Sequence, residues 1–173
     1  MERKLHIGGI QKAEGWEIFN AVPNVIVDHV GNAGDLSRFA DDTFDLVYAS
    51  HVLEHFDYHR ELVPALQEWR RVLTPTGKLL ISVPDLDVLS RMLVAKEHLT
   101  LAERFQVMQM MFGAQSDQYD YHKVGLNQDF LFGFLQRAGF RVAERVADLG
   151  YFEDTSTYRL KGVLISLNVI ATK

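Results

Sequence analysis

Cysteine is absent from the 173 residues, so disulfides, thiolate catalysis and cysteine-based zinc sites are excluded. Basic charge is scarce: 18 Lys and Arg stand against 23 Asp and Glu, the formal charge is −5, and the cations are scattered. A groove that holds nucleic acid by neutralising phosphates needs a basic cluster, so no nucleic-acid partner is expected. Long hydrophobic runs are missing as well. The longest late run, Val163 to Ala171, is broken by Ser166 and Asn168, and no membrane span is expected. The apolar run before Gly8-Gly9 is too brief for the core of a signal peptide, and a cytoplasmic location is the expectation.

What is present is enough apolar residues, 47%, for one sizeable core. The length suits a single domain over residues 1–173. Apolar runs ending in turn residues alternate with helical patterns, the signature of parallel βαβ units. Lys4 to Ile7, Phe44 to Ala49 and Lys78 to Val83 read as strands. Between the last two, Leu62, Leu66, Trp69 and Val72-Leu73 fall on one stripe at helical spacing, and the helix stops before Thr74-Pro75-Thr76-Gly77. Leu86 to Phe112 reads as helical, with a capping box at Thr100 to Glu103 and Phe105, Met108, Met111 and Phe112 as a core stripe. Asn127 caps a further helix that Gly139 closes, and Phe140 to Val146 and Val163 to Ala171 supply two last strands. A hairpin-like return between these two places an antiparallel strand at the sheet edge.

Four segments, Lys4 to Gly9, Phe44 to His55, Glu68 to Leu79 and Leu135 to Phe140, resemble the class I S-adenosylmethionine-dependent methyltransferases of the type 11 domain group, in family order. The resemblance implies an α/β fold: an abbreviated Rossmann-like class I methyltransferase with a mostly parallel sheet, one antiparallel edge strand and helices on both faces. Residues 86–125 would form a helical and loop insertion covering the acceptor side. The implied cofactor is S-adenosylmethionine. Its site would be built by Gly8 and Gly9 in the turn after the first strand, Asn20 after the second, Asn32 and Ala33 after the third, and Ser50 and His51 after the fourth. Asn20 and Asn32 stand where the family carries acids, so their contacts lack charge and are roughly half as strong as charge-assisted ones. Ile10 replaces a further glycine of the usual turn.

Spacing adds a constraint of its own. Residues 8 to 16 are too few for a crossover helix, which needs at least roughly 10–12 residues, and residues 21 to 24 leave less room before a strand at Val25-Ile26-Val27. The adenosine half therefore reads as abbreviated.

Methyl transfer needs alignment of donor and acceptor and, for a weak nucleophile, a base. His51, just past the central strand, is the candidate base, with His122 as the alternative; the competing reading of His51 is a helix-start residue satisfied by a backbone carbonyl. His55, a turn further on, reads as a brace for that helix. Asp85, Tyr119, Tyr121 and His122 are candidate substrate contacts, although Asp85 also suits a helix N-cap. His51 to His55 matches the H-x-x-E-H pattern of inverzincin zinc proteases, but it starts directly off a buried strand with no third ligand identified, so no metal is expected. The function these readings imply is S-adenosylmethionine-dependent methyl transfer to a small-molecule or glycan acceptor. The alternative is a non-catalytic methyltransferase-fold module for binding or assembly. Oligomeric state and acceptor atom stay open.

Overall fold

Segments of nearly unbroken Val, Ile, Leu and aromatic residues are stable as strands only where both faces are covered. In the computed structural model, which describes residues 2–173, such segments lie inside a seven-stranded sheet. The strands are β1 (Lys4–Ile7), β2 (Trp16–Asn20), β3 (His29–Val30), β4 (Phe44–Ser50), β5 (Leu73–Pro84), β6 (Val142–Val146), β7 (Arg159–Leu160), β8 (Val163–Leu164) and β9 (Ser166–Thr172), of which β7 and β8 form a separate ribbon. The sheet order is β3-β2-β1-β4-β5-β9-β6. β1 pairs in parallel with β2 and β4, β4 pairs in parallel with β5, and β9 runs antiparallel to both β5 and β6. A mostly parallel sheet with one antiparallel strand is the expected architecture, with one difference: that strand lies a place inside the edge. Burial explains it, because β9 is largely buried, whereas β6 keeps Val142, Glu144 and Arg145 exposed and forms the edge.

Among the described residues, four α-helices accompany the sheet: α1 (Leu62–Val72), α2 (Leu86–Val94), α3 (Leu101–Phe112) and α4 (Gln128–Arg137). α1 turns Leu62, Ala65, Leu66, Trp69 and Val72 inward at helical spacing. With Leu131 and Leu135 of α4, these residues pack on Leu5, Ile7, Val47, Ala49, Leu79, Ile81 and Val169. Each large side chain buried in such a layer contributes about 1.5–3 kcal/mol, so this face carries most of the fold's apolar stabilisation.

The second face departs from the expected helical cover. Leu149 and Phe152, in the irregular segment after β6, pack there on Trp16, Leu46, Tyr48 and Leu80. Tyr48 donates its hydroxyl toward Asp154 (2.9 Å), and Asn168 donates to the Ser156 carbonyl (2.9 Å). The reason lies upstream: residues 8–15 and 21–28 join parallel strands without a helix, as their lengths require, so a polar loop covers β1 and β4 instead.

Other expectations shift in detail. β3 forms at His29–Val30 rather than at Val25 to Val27; Val25 is 100% exposed, and Asp28 holds the turn by accepting from Ile18 N–H (2.8 Å) and pairing with Lys12. The helix read from Leu86 to Phe112 is two helices, α3 starting at the Thr100–Glu103 capping box. Its supposed core stripe is half outside, with Val107 buried and Phe105 and Phe112 exposed. After β4 the chain makes a single 3-10 turn, Leu53–His55, so His55 braces no α-helix.

His6 sits on the second face, buried, with its ring 4.2 Å from Phe152 and 4.8 Å from Tyr48 between centroids. Burial outweighs the attraction of Asp154 and lowers its pKa from 6.5 to about 4. Because the folded value lies below the unfolded one, the unfolded chain takes the proton first as pH falls. Stability is complete above about pH 6.5 and declines toward about pH 4, by on the order of 3 kcal/mol at about 1.4 kcal/mol per unit. Urea unfolding should show His6→Phe losing about 2 kcal/mol less than the natural chain between neutral pH and roughly pH 4.5. Equal losses would contradict this assignment.

Candidate functional site

The sheet order reverses between β1 and β4, and in open α/β sheets such a reversal opens a crevice beyond the carboxyl ends of the strands. Gly8 ends β1 with φ +75° and donates to the Phe19 carbonyl at 2.8 Å. A Cβ there would sit 2.6 Å from Val52 Cγ2, so only glycine fits both the backbone and the space. Asn20 ends β2. Its Nδ2 donates to the Gly9 carbonyl (3.1 Å) and its Oδ1 accepts from Val22 N–H (3.0 Å), tying together two turns that no helix supports. An aspartate could not make the first bond, which gives the amide at this position a structural reason. Past β3, Asn32 Oδ1 accepts from Gly34 N–H (2.8 Å), and the Ala33 carbonyl accepts from the Trp69 indole (2.7 Å), anchoring the loop to α1.

At the end of β4, His51 takes φ +53°, a left-handed conformation that costs a non-glycine residue on the order of 1–3 kcal/mol, while its N–H stays bonded to the Ser82 carbonyl. This reversal throws Val52, His55 and Phe56 over the crevice. The opposite wall comes from the loop after α3, stitched to the turn after β4 by Lys123 N–H on the Glu54 carbonyl (2.8 Å) and His55 Nδ1 on the Tyr121 carbonyl (3.1 Å). Together they enclose a cavity of ≈ 660 Å³, within the ~300–1,000 Å³ usual for small-molecule sites.

Seven of the candidate residues line this cavity: Gly8, Asn20, Asn32, Ala33, His51, Tyr119 and Tyr121. Four do not. Gly9 instead makes room for His6, whose ring atoms would lie 2.8 Å from an added Cβ. Ser50 points to the second face, its Oγ buried without a partner. Asp85 is buried as the N-cap of α2, accepting from Asp87 and Val88 N–H, and its other oxygen binds Arg145 at 2.8 Å. His122 lies behind the wall with its Nε2 directed at Glu54, 4.0 Å away. Sequence reasoning gave no role to Phe19, Phe56 and Glu61, which also line the cavity, and met Glu54 only within the zinc-protease pattern. A second cavity of ≈ 610 Å³, lined by residues such as Asp45, Lys78 and Tyr151, opens at the amino ends of the strands, away from the ligand edge of such sheets.

Burial opposes ionisation of Glu54, but His51 first and then His55 and His122 outweigh it and keep its pKa below the usual carboxylate value. Burial lowers the pKa of His122, with Glu54 pulling the other way. Both ring nitrogens of His51 face protein groups, Ser166 Oγ at 2.8 Å and Glu54 Oε1 at 3.3 Å.

A seven-stranded sheet of this order, with a glycine turn after β1 and a cavity at the reversal, defines a class I methyltransferase fold. Residues 12–81 match the family described as "Methyltransferase domain". A solved S-adenosylmethionine-dependent methyltransferase from Archaeoglobus fulgidus aligns with a TM-score of 0.61 at 17% identity, over 99% of this chain and 86% of that one. The 1,6-didemethyltoxoflavin-N1-methyltransferase of Burkholderia thailandensis, solved with bound 1,6-didemethyltoxoflavin and S-adenosylhomocysteine, aligns at 0.60 and 14%, over 99% and 71%. An uncharacterised protein of Methanocaldococcus jannaschii is 47% identical over 51 residues, which span 30% of this chain and 21% of that protein. The chain has the class I methyltransferase fold of these solved structures. Among the described residues, no helix is long and apolar enough to cross a membrane.

The placement of Asp85 can be tested apart from any ligand. Asp85→Ala removes a cap worth about 1 kcal/mol and a charged hydrogen bond worth about 1.5–3 kcal/mol, so denaturant unfolding should report a loss of about 2–4 kcal/mol. A change below roughly 0.5 kcal/mol, the usual effect of a surface substitution, would contradict it.

Proposed function

We propose that this chain binds S-adenosylmethionine in the carboxyl-edge cavity and transfers its methyl group to a small-molecule or glycan acceptor. The observation that carries this reading is the convergence of Gly8, Asn20, Asn32 and His51, from four different strand ends, on one cavity of suitable volume. The residues fit the cofactor. Each amide oxygen accepts one local hydrogen bond and keeps a second lone pair, which suits Asn20 to ribose hydroxyls and Asn32 with Ala33 to the adenine. The Gly8 turn leaves backbone open beside His51 for the methionine end. When bound, S-adenosylmethionine supplies an electrophilic methyl group on a sulfonium.

On the acceptor side, the segment from α2 through the loop carrying Tyr119 and Tyr121 supplies a half-exposed aromatic wall, and we assign it the covering role. Asp85 takes no part in that wall. His51 and His122 both face Glu54, so any proton they accept at this end is shared with that carboxylate. One observation favours the non-catalytic alternative: without a helix between β1 and β2, no helix N-terminus presents amides to an anionic ligand group.

Ala21 is exposed at the cavity wall, so Ala21→Trp fills the space without touching the core. Calorimetry should show S-adenosylhomocysteine binding to the natural chain, weakened by about tenfold or more in Ala21→Trp, a loss of about 1.4 kcal/mol, at an unchanged melting temperature. No binding to the natural chain at millimolar ligand would overturn this reading and leave the module.

A further inference from the structure

The turn after β4 holds a carboxylate that cofactor binding does not explain. Glu54 is 1% exposed, and neither of its oxygens has a hydrogen-bond partner. A buried carboxylate without donors is strongly unfavourable unless a cation offsets it. Three imidazoles stand around it: His51 Nδ1 at 3.3 Å and His122 Nε2 at 4.0 Å from Oε1, with the His55 and His122 rings 4.9 Å apart between centroids.

A count of protons shows what the imidazoles offer. Ser166 Oγ donates its single proton to the Thr155 carbonyl at 2.8 Å, so His51 Nε2, 2.8 Å from the same oxygen, must donate to it. Nδ1 of His51 lies on the other side of the ring, 3.3 Å from Glu54 Oε1. A carbonyl only accepts, so His55 Nδ1 donates to the Tyr121 carbonyl and carries its lone pair on Nε2. An outer nitrogen held by a backbone carbonyl, with the inner one left free, is the supporting pattern of a metal-bound histidine, and His55 shows it.

We infer that Glu54, His55 and His122 form a binding site for a divalent transition-metal ion of the zinc type, with His51 at its side. Their ligating atoms all lie within 4.8 Å of one another. Around a tetrahedral ion with bonds of about 2.1 Å, ligand atoms sit roughly 3.4 Å apart, so closure asks the widest pair to approach by about 1.4 Å, within reach of side-chain rotation. Two imidazoles and one carboxylate suit zinc, iron or cobalt, whereas magnesium and calcium prefer all-oxygen sets. This is not the zinc protease set aside from the sequence: the glutamate is a ligand here, and the third group comes from the loop after α3. Three protein ligands leave a further position for an oxygen donor from the cavity, whose wall includes His51 and His55.

The test uses the full chain, dialysed against chelator and titrated with Zn2+ alone and, separately, with Co2+. We expect one ion per chain and a visible Co2+ absorption spectrum typical of nitrogen and oxygen ligands. Glu54→Gln and His122→Asn should each weaken Zn2+ binding by about tenfold or more, while His59→Ala and His98→Ala, outside the cluster, leave it unchanged. Binding well below one ion per chain, or undiminished in folded Glu54→Gln and His122→Asn, overturns the site. If either variant fails to fold, the Co2+ spectrum of the natural chain decides alone: a tightly held ion with these ligands supports the site, and a spectrum of hydrated Co2+ rejects it. The result is independent of methyl-donor binding, which calorimetry with S-adenosylhomocysteine reads separately.

Discussion

The buried carboxylate of Glu54 sets the terms for the carboxyl edge of this fold. It lies on the short turn that the left-handed His51 creates, and its own carbonyl accepts from Lys123 N–H, so the turn after β4 and the loop after α3 are fixed to each other there. That stitch makes the far wall of the cavity. The His55 ring on the Tyr121 carbonyl and the bridge between Asp85 and Leu126 hold the same loop to the strand ends. Glu54 thus holds the wall through its main-chain carbonyl and places its carboxylate beside it.

The other half of the cavity is built without crossover helices. Where a crossover helix would brace the turn after β1, the Asn20 amide bridges to Gly9, and the Trp69 indole performs the same service for the loop after β3. The face left bare by the missing helices is closed by the segment after β6, through the aromatic contacts of Phe152 and the hydrogen bonds of Asp154 and Ser156. The short connections and the polar second face are therefore two aspects of one economy of length.

Much of this was legible in the residues. Phe44 to Ala49, the α1 stripe and the caps at Thr100 and Asn127 depend on local pattern, and local pattern reads correctly. The resemblance put the glycine turn, Asn20, Asn32 and His51 at strand ends, and parallel topology brings those ends to one edge. What stayed hidden depends on distant partners. Val25 to Val27 looks like a strand, yet Asp28 binds Ile18 and Lys12 and moves the pairing onward to His29. Asp85 suits either a cavity or a cap, and Arg145, 60 residues away, completes its buried role. The meeting of Glu54 with His122 likewise depends on a loop whose path no periodicity describes.

The central claim is that the four strand ends form one methyl-donor site. Hydrogen exchange on the natural chain with and without S-adenosylhomocysteine tests it most directly. The account predicts slower exchange, in the ligand's presence, of amides at 8–10, 20–22, 31–33 and 51–55 together. Unchanged exchange in all four segments at saturating ligand would contradict it.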